Sequence, residues 1–113
     1  MAAISVVINT LNEEENLPRA LSSVKNLADE VIVVDMQSGD KTVDIAKEFG
    51  AQVYSHERVG YVEPARNFAI DKATKEWVLI LDADEEVSDT LALKLKQIVK
   101  NPQADYYRLP RKN

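Results

Sequence analysis

Short β-branched runs alternate with helix-period stretches along this chain, and that alternation constrains the fold more than any other feature. Ile4–Ile8 reads Ile-Ser-Val-Val-Ile, Val31–Val34 reads Val-Ile-Val-Val, and Trp77–Leu81 reads Trp-Val-Leu-Ile-Leu. The first reads as strand one, the continuous Val31–Val34 run suits a strand covered on both faces, and the Trp77 run suits a buried strand. Between the first two, Leu17, Ala20, Leu21, Val24 and Leu27 recur at helical spacing. Asn16 stands as the cap of that helix and Pro18 in its first turn, where a missing N–H costs nothing. A second helix opens at Asp40, turns Val43, Ala46 and Phe49 inward, and stops before Gly50 in the C′ position. Ala51–Ser55 reads as a third, less apolar strand nearer an edge. Pro64 begins a short helix to about Ala73, with Ala65, Phe68 and Ala69 on one side. Ser88 or Asp89 caps a last helix whose stripe is Leu91, Leu95, Ile98 and Val99, and Asn101-Pro102 ends it. Asp105–Leu109 is a candidate fifth strand. The order predicts a three-layer α/β/α fold, with a mostly parallel, Rossmann-like sheet and helices on both faces.

The length of 113 residues allows one domain with a modest core, taken as residues 1–113. A net charge of −5 argues against nucleic-acid binding, which needs a basic face to displace counterions. It leaves room for a nucleotide held through a cation. Cysteine is absent, so disulfides and thiolate zinc sites are excluded, and a reducing, cytoplasmic setting fits. No apolar run reaches the roughly 18–20 residues of a membrane span, and the N-terminus lacks a signal-peptide pattern. Only the last six residues, with Arg108, Arg111 and Lys112, turn basic, and no terminating element follows them. The expectation is a piece of a longer protein.

Open parallel sheets bind ligands at the carboxyl ends of their strands. Strand one is followed by Asn9-Thr10-Leu11-Asn12-Glu13-Glu14-Glu15, strand two by Asp35-Met36-Gln37-Ser38-Gly39-Asp40, and the Trp77 strand by Asp82-Ala83-Asp84-Glu85-Glu86. Three acidic turns on one edge would crowd carboxylates, which is costly without a cation or a donor ligand. An Asp-x-Asp pair at a strand end suits a divalent ion on a phosphate-bearing ligand; it equally suits a cap for the following helix. Neither the glycine-rich dinucleotide fingerprint nor a P-loop is present, so a metal rather than a glycine cradle would meet the phosphate charge. His56 is the only histidine, which leaves no Ser-His-Asp set.

Four segments, in order, resemble family 2 glycosyltransferases. They are Ile4 to Glu14, Val31 to Asp35 with Ser38 to Thr42, Ala65 to Ile70, and Leu81 to Glu85. In finer detail the chain looks like small bacterial members that build lipopolysaccharide core or other surface glycans, as the closing Tyr107 to Asn113 also suggests. The resemblance implies the GT-A fold and inverting transfer from a nucleotide-diphosphate sugar, a UDP-sugar foremost, with Mn2+ or Mg2+. The acceptor would be a glycan or lipid-linked molecule in cell-envelope polysaccharide synthesis. The full-length protein would work in the cytoplasm, at the inner face of the membrane. Carried across by motif, Thr10, Asn12 and Glu14 line the nucleoside, Asp35 contacts base or ribose, and Arg66 lies near uracil or diphosphate. Asp82 faces the ribose or the metal, and Asp84 holds the metal.

Two departures stand out. Many members carry Asp-Asp after strand two, and in some the second carboxylate reads the base, where this chain has Asp35-Met36. The family's general base lies in the acceptor half, and its expected place is beyond Asn113. The chain is therefore expected to bind donor weakly and to transfer negligibly. The competing readings are a non-catalytic nucleotide-sugar-binding or interaction module, and a nucleotidyltransferase. Asn12-Glu13-Glu14-Glu15 stands where the latter usually has a glycine-rich basic loop.

Overall fold

The computed structural model describes residues 3–57 and 63–100, the first four of the second stretch as backbone only. Its elements run β1 (Ile4–Thr10), α1 (Leu17–Val24), β2 (Glu30–Asp35), α2 (Thr42–Glu48), β3 (Gln52–Ser55), α3 (Glu63–Lys72), β4 (Trp77–Asp82) and α4 (Asp89–Lys100). The four strands form one parallel sheet in the order β3-β2-β1-β4. The expected α/β fold, with β3 at an edge, is what forms. The candidate fifth strand, Asp105–Leu109, lies outside the described residues.

Side chains of a strand point alternately to the two sheet faces, and each face has its own core. Val6 and Ile8 of β1 and Val33 of β2 meet Leu17, Ala20, Leu21 and Val24 of α1, Ala46 of α2 and Leu95 of α4. Val7, Ile32 and Val34 face the other way, against Ala69 and Phe68 of α3. Val6, Ile8, Val33 and Val34 are wholly excluded from water, and burying each is worth about 1.5–3 kcal/mol. This doubly covered centre holds β1 and β2 rigid, and both end at the same edge.

Three local expectations are corrected. Asn16 does not cap α1 through its side chain: it takes a helical backbone, and its amide donates to Glu13 Oε1 at 3.2 Å instead. Phe49 is 45% exposed rather than inward, because α2 ends at Glu48 and the chain swings out through Gly50 at φ 85°. The Trp77 run, expected as a buried strand, is not buried throughout. β4 is a sheet edge among the described strands, α3 lies over β1 and β2, and Val78 and Ile80 remain 37% and 42% exposed. Leu81 of the same strand is buried in the opposite core. At the last helix the expectation holds: Ser88 Oγ accepts the Leu91 N–H at 3.1 Å.

Candidate functional site

The winding of the sheet selects one place on its carboxyl edge. It runs outward from β1 to β2 and β3, then returns to β4 on the other side of β1. The direction reverses between β1 and β4, and loops leaving strands at such a reversal diverge and open a crevice. Register brings the strand ends level there. Asn9 pairs with Val34 on one side and Asp82 on the other, and Thr10 pairs with Asp35. Helix α3 leads from the end of β3 back to the start of β4, so its first turn, which carries Arg66, stands above this same edge. The Arg66 side chain is outside the described residues.

The β1 and β2 loops are knit together by their own polar groups. Thr10 Oγ1 donates to Asp35 Oδ1 at 2.7 Å, and Asp35 also accepts from Ser38 N–H at 2.8 Å and Ser38 Oγ at 2.6 Å. Asn12 links the loops twice, its N–H reaching Ser38 Oγ at 2.8 Å and its Oδ1 accepting Gly39 N–H at 2.7 Å. Glu13 N–H donates to Thr42 Oγ1 at 2.9 Å, and Glu14 N–H to Asp40 Oδ2 at 3.2 Å. Asp40 Oδ1 in turn accepts the N–H and hydroxyl of Thr42 as α2 begins. Asn12 and Gln37 hold the left-handed backbone at φ 54° and 61°. Asn adopts that region more readily than most residues, and Gln does so at a cost.

This lattice revises the electrostatic expectation. The carboxylates after β2, Asp35 and Asp40, are not left uncompensated, because backbone N–H and hydroxyl donors of the two loops meet them. The Thr42 hydroxyl, opposed by partial desolvation and aided by the Thr42 and Glu14 N–H groups, holds the Asp40 carboxyl below its ordinary value. Asp35 is 3% exposed. Three of the roughly four acceptor positions of a carboxylate are already taken there.

The β4 end is built differently. Asp82 O accepts Glu85 N–H at 2.9 Å, closing a turn, and Glu85 Oε1 reaches back to Asp82 N–H at 2.8 Å. Asp82 is half-buried and Asp84, within the turn, is exposed. Among the described residues no group of three or more His, Cys, Asp or Glu side chains is placed to hold a metal. Two carboxylates that leave the other positions to phosphate oxygens and water are nevertheless what Mg2+ ordinarily takes from a protein.

The fold therefore brings Thr10, Asn12 and Asp35 into one bonded cluster and sets Asp82 one strand away. Glu14 joins through its backbone, and its side chain is exposed. Asp84 stands apart at the turn. The roles of Ser38 and Thr42 as ties between the loops were missed, since a serine or threonine at a helix start reads only as a cap. A recess of about 670 Å3 lies at the opposite, amino-terminal edge of the sheet, among Lys25, Asp29, Glu30, Glu48 and Lys75. It is far from the reversal and its crevice.

Known proteins agree with this architecture. The family model described as Glycosyl transferase family 2 matches residues 5–111. An uncharacterized glycosyltransferase of Rickettsia typhi is 46% identical over 107 residues, covering 95% of this chain and 36% of the relative. Staphylococcus aureus TarS, crystallised in complex with UDP, superposes with a TM-score of 0.75 at 28% identity, over 87% of this chain and 32% of that one. Glucosyl-3-phosphoglycerate synthase of Mycobacterium tuberculosis, in complex with Mn2+, UDP and glucosyl-3-phosphoglycerate, gives 0.64 at 28% identity, over 88% and 39%. The sheet and its carboxyl-edge loops define an α/β domain of the GT-A glycosyltransferase fold. The chain belongs to glycosyltransferase family 2. It spans about a third of the length of the curated relatives it matches.

Proposed function

We propose that this chain is the donor-binding part of an inverting, metal-dependent transferase that takes its sugar from a UDP-sugar. The acceptor is a glycan or lipid-linked molecule of the cell envelope, and the full-length protein acts at the cytoplasmic face of the membrane. One observation carries the reading. The polar ends of β1, β2 and β4 stand level at the winding reversal, two of them bonded into a rigid floor and the third carrying the exposed Asp84. The UDP and Mn2+ held by structural neighbours point the same way.

In this reading Thr10, Asn12 and Asp35 shape the nucleoside floor more than they contact the ligand. Thr10 fixes the Asp35 carboxylate, and Asn12 fixes the two loops, so the ligand meets a surface that needs no reorganisation on binding. Asp35 has about one acceptor position left for the base or ribose. The Glu14 carboxylate reaches the nucleoside from the loop rim. Arg66, from the first turn of α3, supplies donors to the diphosphate or the uracil. Asp84 and Asp82 hold the divalent ion. A divalent ion held there would supply positive charge against the departing diphosphate. The general base comes from the acceptor half, so the 113-residue chain binds donor without appreciable transfer.

Calorimetric titration with UDP, with and without Mn2+, tests the reading. Expected is weak binding that Mn2+ tightens in the wild type and not in Asp84→Ala. Asp84 is exposed, so the variant should keep the melting temperature of the wild type. Binding that ignores both Mn2+ and the substitution would overturn it.

A further inference from the structure

The penultimate residue of β1 carries a polar side chain that none of these roles uses. Asn9 Oδ1 is shut away from solvent and accepts no hydrogen bond. A buried amide oxygen in that state has given up its bond to water and received nothing in return, which folded proteins rarely tolerate without reason. The surroundings explain why the chain does not satisfy it. Alternation turns Asn9 to the face of Val7, away from the Thr10–Asp35 pair. Its in-register neighbours on that face are Val34, which is apolar, and Asp82, whose carboxylate offers acceptor oxygens. An apolar residue would continue the run of β1 and pack there at less cost.

Position gives the orphan its meaning. Asn9 and Asp82 are the paired residues that flank the gap between β1 and β4, where the winding reverses and the crevice opens. Resting on the nucleotide-sugar reading above, we propose that Asn9 is a nucleoside-contacting residue. Asn9 as a residue is only half-buried, and a turn of its amide about the Cβ–Cγ bond brings the oxygen to the open side, where it accepts a hydrogen bond from an N–H or O–H of the bound nucleoside. Uridine offers two sources, the uracil N3–H and the ribose hydroxyls. In the first case Asn9 also selects the base, since the cytosine ring nitrogen at that position has no proton to give.

The experiment is a calorimetric titration, in the presence of Mn2+, of the wild type and Asn9→Ala with UDP, 3-methyl-UDP, 2′-deoxy-UDP and 3′-deoxy-UDP. Asn9→Ala is expected to weaken UDP about ten-fold. One analogue should lose about as much on the wild type and nothing further on the variant, and that analogue identifies the donor group. The ligand-free melting temperature should not fall, because no bond within the chain is lost. Asn9→Asp keeps an acceptor and should keep the same preference for UDP over that analogue, which preserves the test if the alanine variant does not fold. UDP binding within two-fold of wild type in Asn9→Ala would overturn the inference while leaving the nucleotide-sugar reading intact. So would analogues that the wild type and the variant treat alike. A wild type that binds no UDP at all would instead overturn the nucleotide-sugar reading, and this inference with it.

Discussion

Removing the Asp35 carboxylate separates a brace from a ligand contact. Asp35 is 3% exposed and receives Thr10 Oγ1 at 2.7 Å, Ser38 N–H at 2.8 Å and Ser38 Oγ at 2.6 Å. Thr10 is 1% exposed, so in Asp35→Ala its hydroxyl has no water to turn to. One stranded buried donor costs about 1–3 kcal/mol. Ser38 is only half-buried, and its two donors regain bonds to water, leaving a loss of about 1 kcal/mol or less for each. Relief of the buried charge offsets part of this, and a net loss of about 2–4 kcal/mol is expected. At about 4 °C per kcal/mol for a domain of this size, the melting temperature should fall by roughly 8–16 °C. Urea unfolding followed by circular dichroism measures the free energy directly. Thr10→Val removes the donor side of the same bond at nearly constant shape. The double variant should therefore cost less than the sum of the single ones, by about 1 kcal/mol or more. A loss in Asp35→Ala below about 1 kcal/mol, or strictly additive costs, would refute the brace. Asp35 would then be a residue kept for the ligand alone.

Two further outcomes test the frame around the site. Glu30 starts β2, and burial works to raise its carboxyl. The hydroxyl of Ser5, the N–H and hydroxyl of Thr74 and the amide of Gln52 together outweigh that and hold it below its ordinary 4.5. A lowered folded value means that this stabilisation is fully present above pH 4.5 and is lost as pH falls through the folded value. Glu30→Gln should accordingly flatten the acid limb of a stability profile measured by urea unfolding, and leave the slope above pH 4.5 unchanged. On β4, Ile80 is 42% exposed, so Ile80→Thr should change stability by no more than about 0.5 kcal/mol. The same substitution should reduce concentration-dependent association in light scattering, because it removes exposed apolar surface.

What was legible in the sequence is what local pattern encodes. The β-branched runs Ile4–Ile8 and Val31–Val34 marked two central strands because both have cores on each face. Gly50 marked the end of α2 because the left-handed turn at φ 85° suits a residue without Cβ. Hydropathy does not carry sheet order, however. The Trp77 run looks as apolar as the others, yet among the described strands β4 sits at an edge where α3 does not reach, and alternate residues are open. Phe49 misled for a related reason: helical spacing continues through it, but the helix stops one residue earlier.

The site divides along the same line. That acids gather after β1, β2 and β4 follows from strand ends alone, and the register bears it out. How their charge is met does not, because it depends on where backbone N–H groups point. Asn12 at φ 54° presents its N–H to Ser38 and its amide oxygen to Gly39, and no residue pattern announces that geometry. Acids that looked like a demand for a cation therefore belong to two kinds. Asp35 and Asp40 spend their acceptor capacity inside the protein and give the pocket its rigidity. Asp84 stands exposed on the turn beyond β4. In the proposed nucleotide-sugar reading both kinds are needed, since a cation is positioned well only against a floor that does not move. Asn9 lies between them, on the other face of β1 from the brace and in register with Asp82, with its oxygen already desolvated. The cost of drying that oxygen is met during folding rather than during binding. In the proposed role, a nucleoside donor that meets it after the amide turns supplies the bond that this oxygen lacks in the free protein.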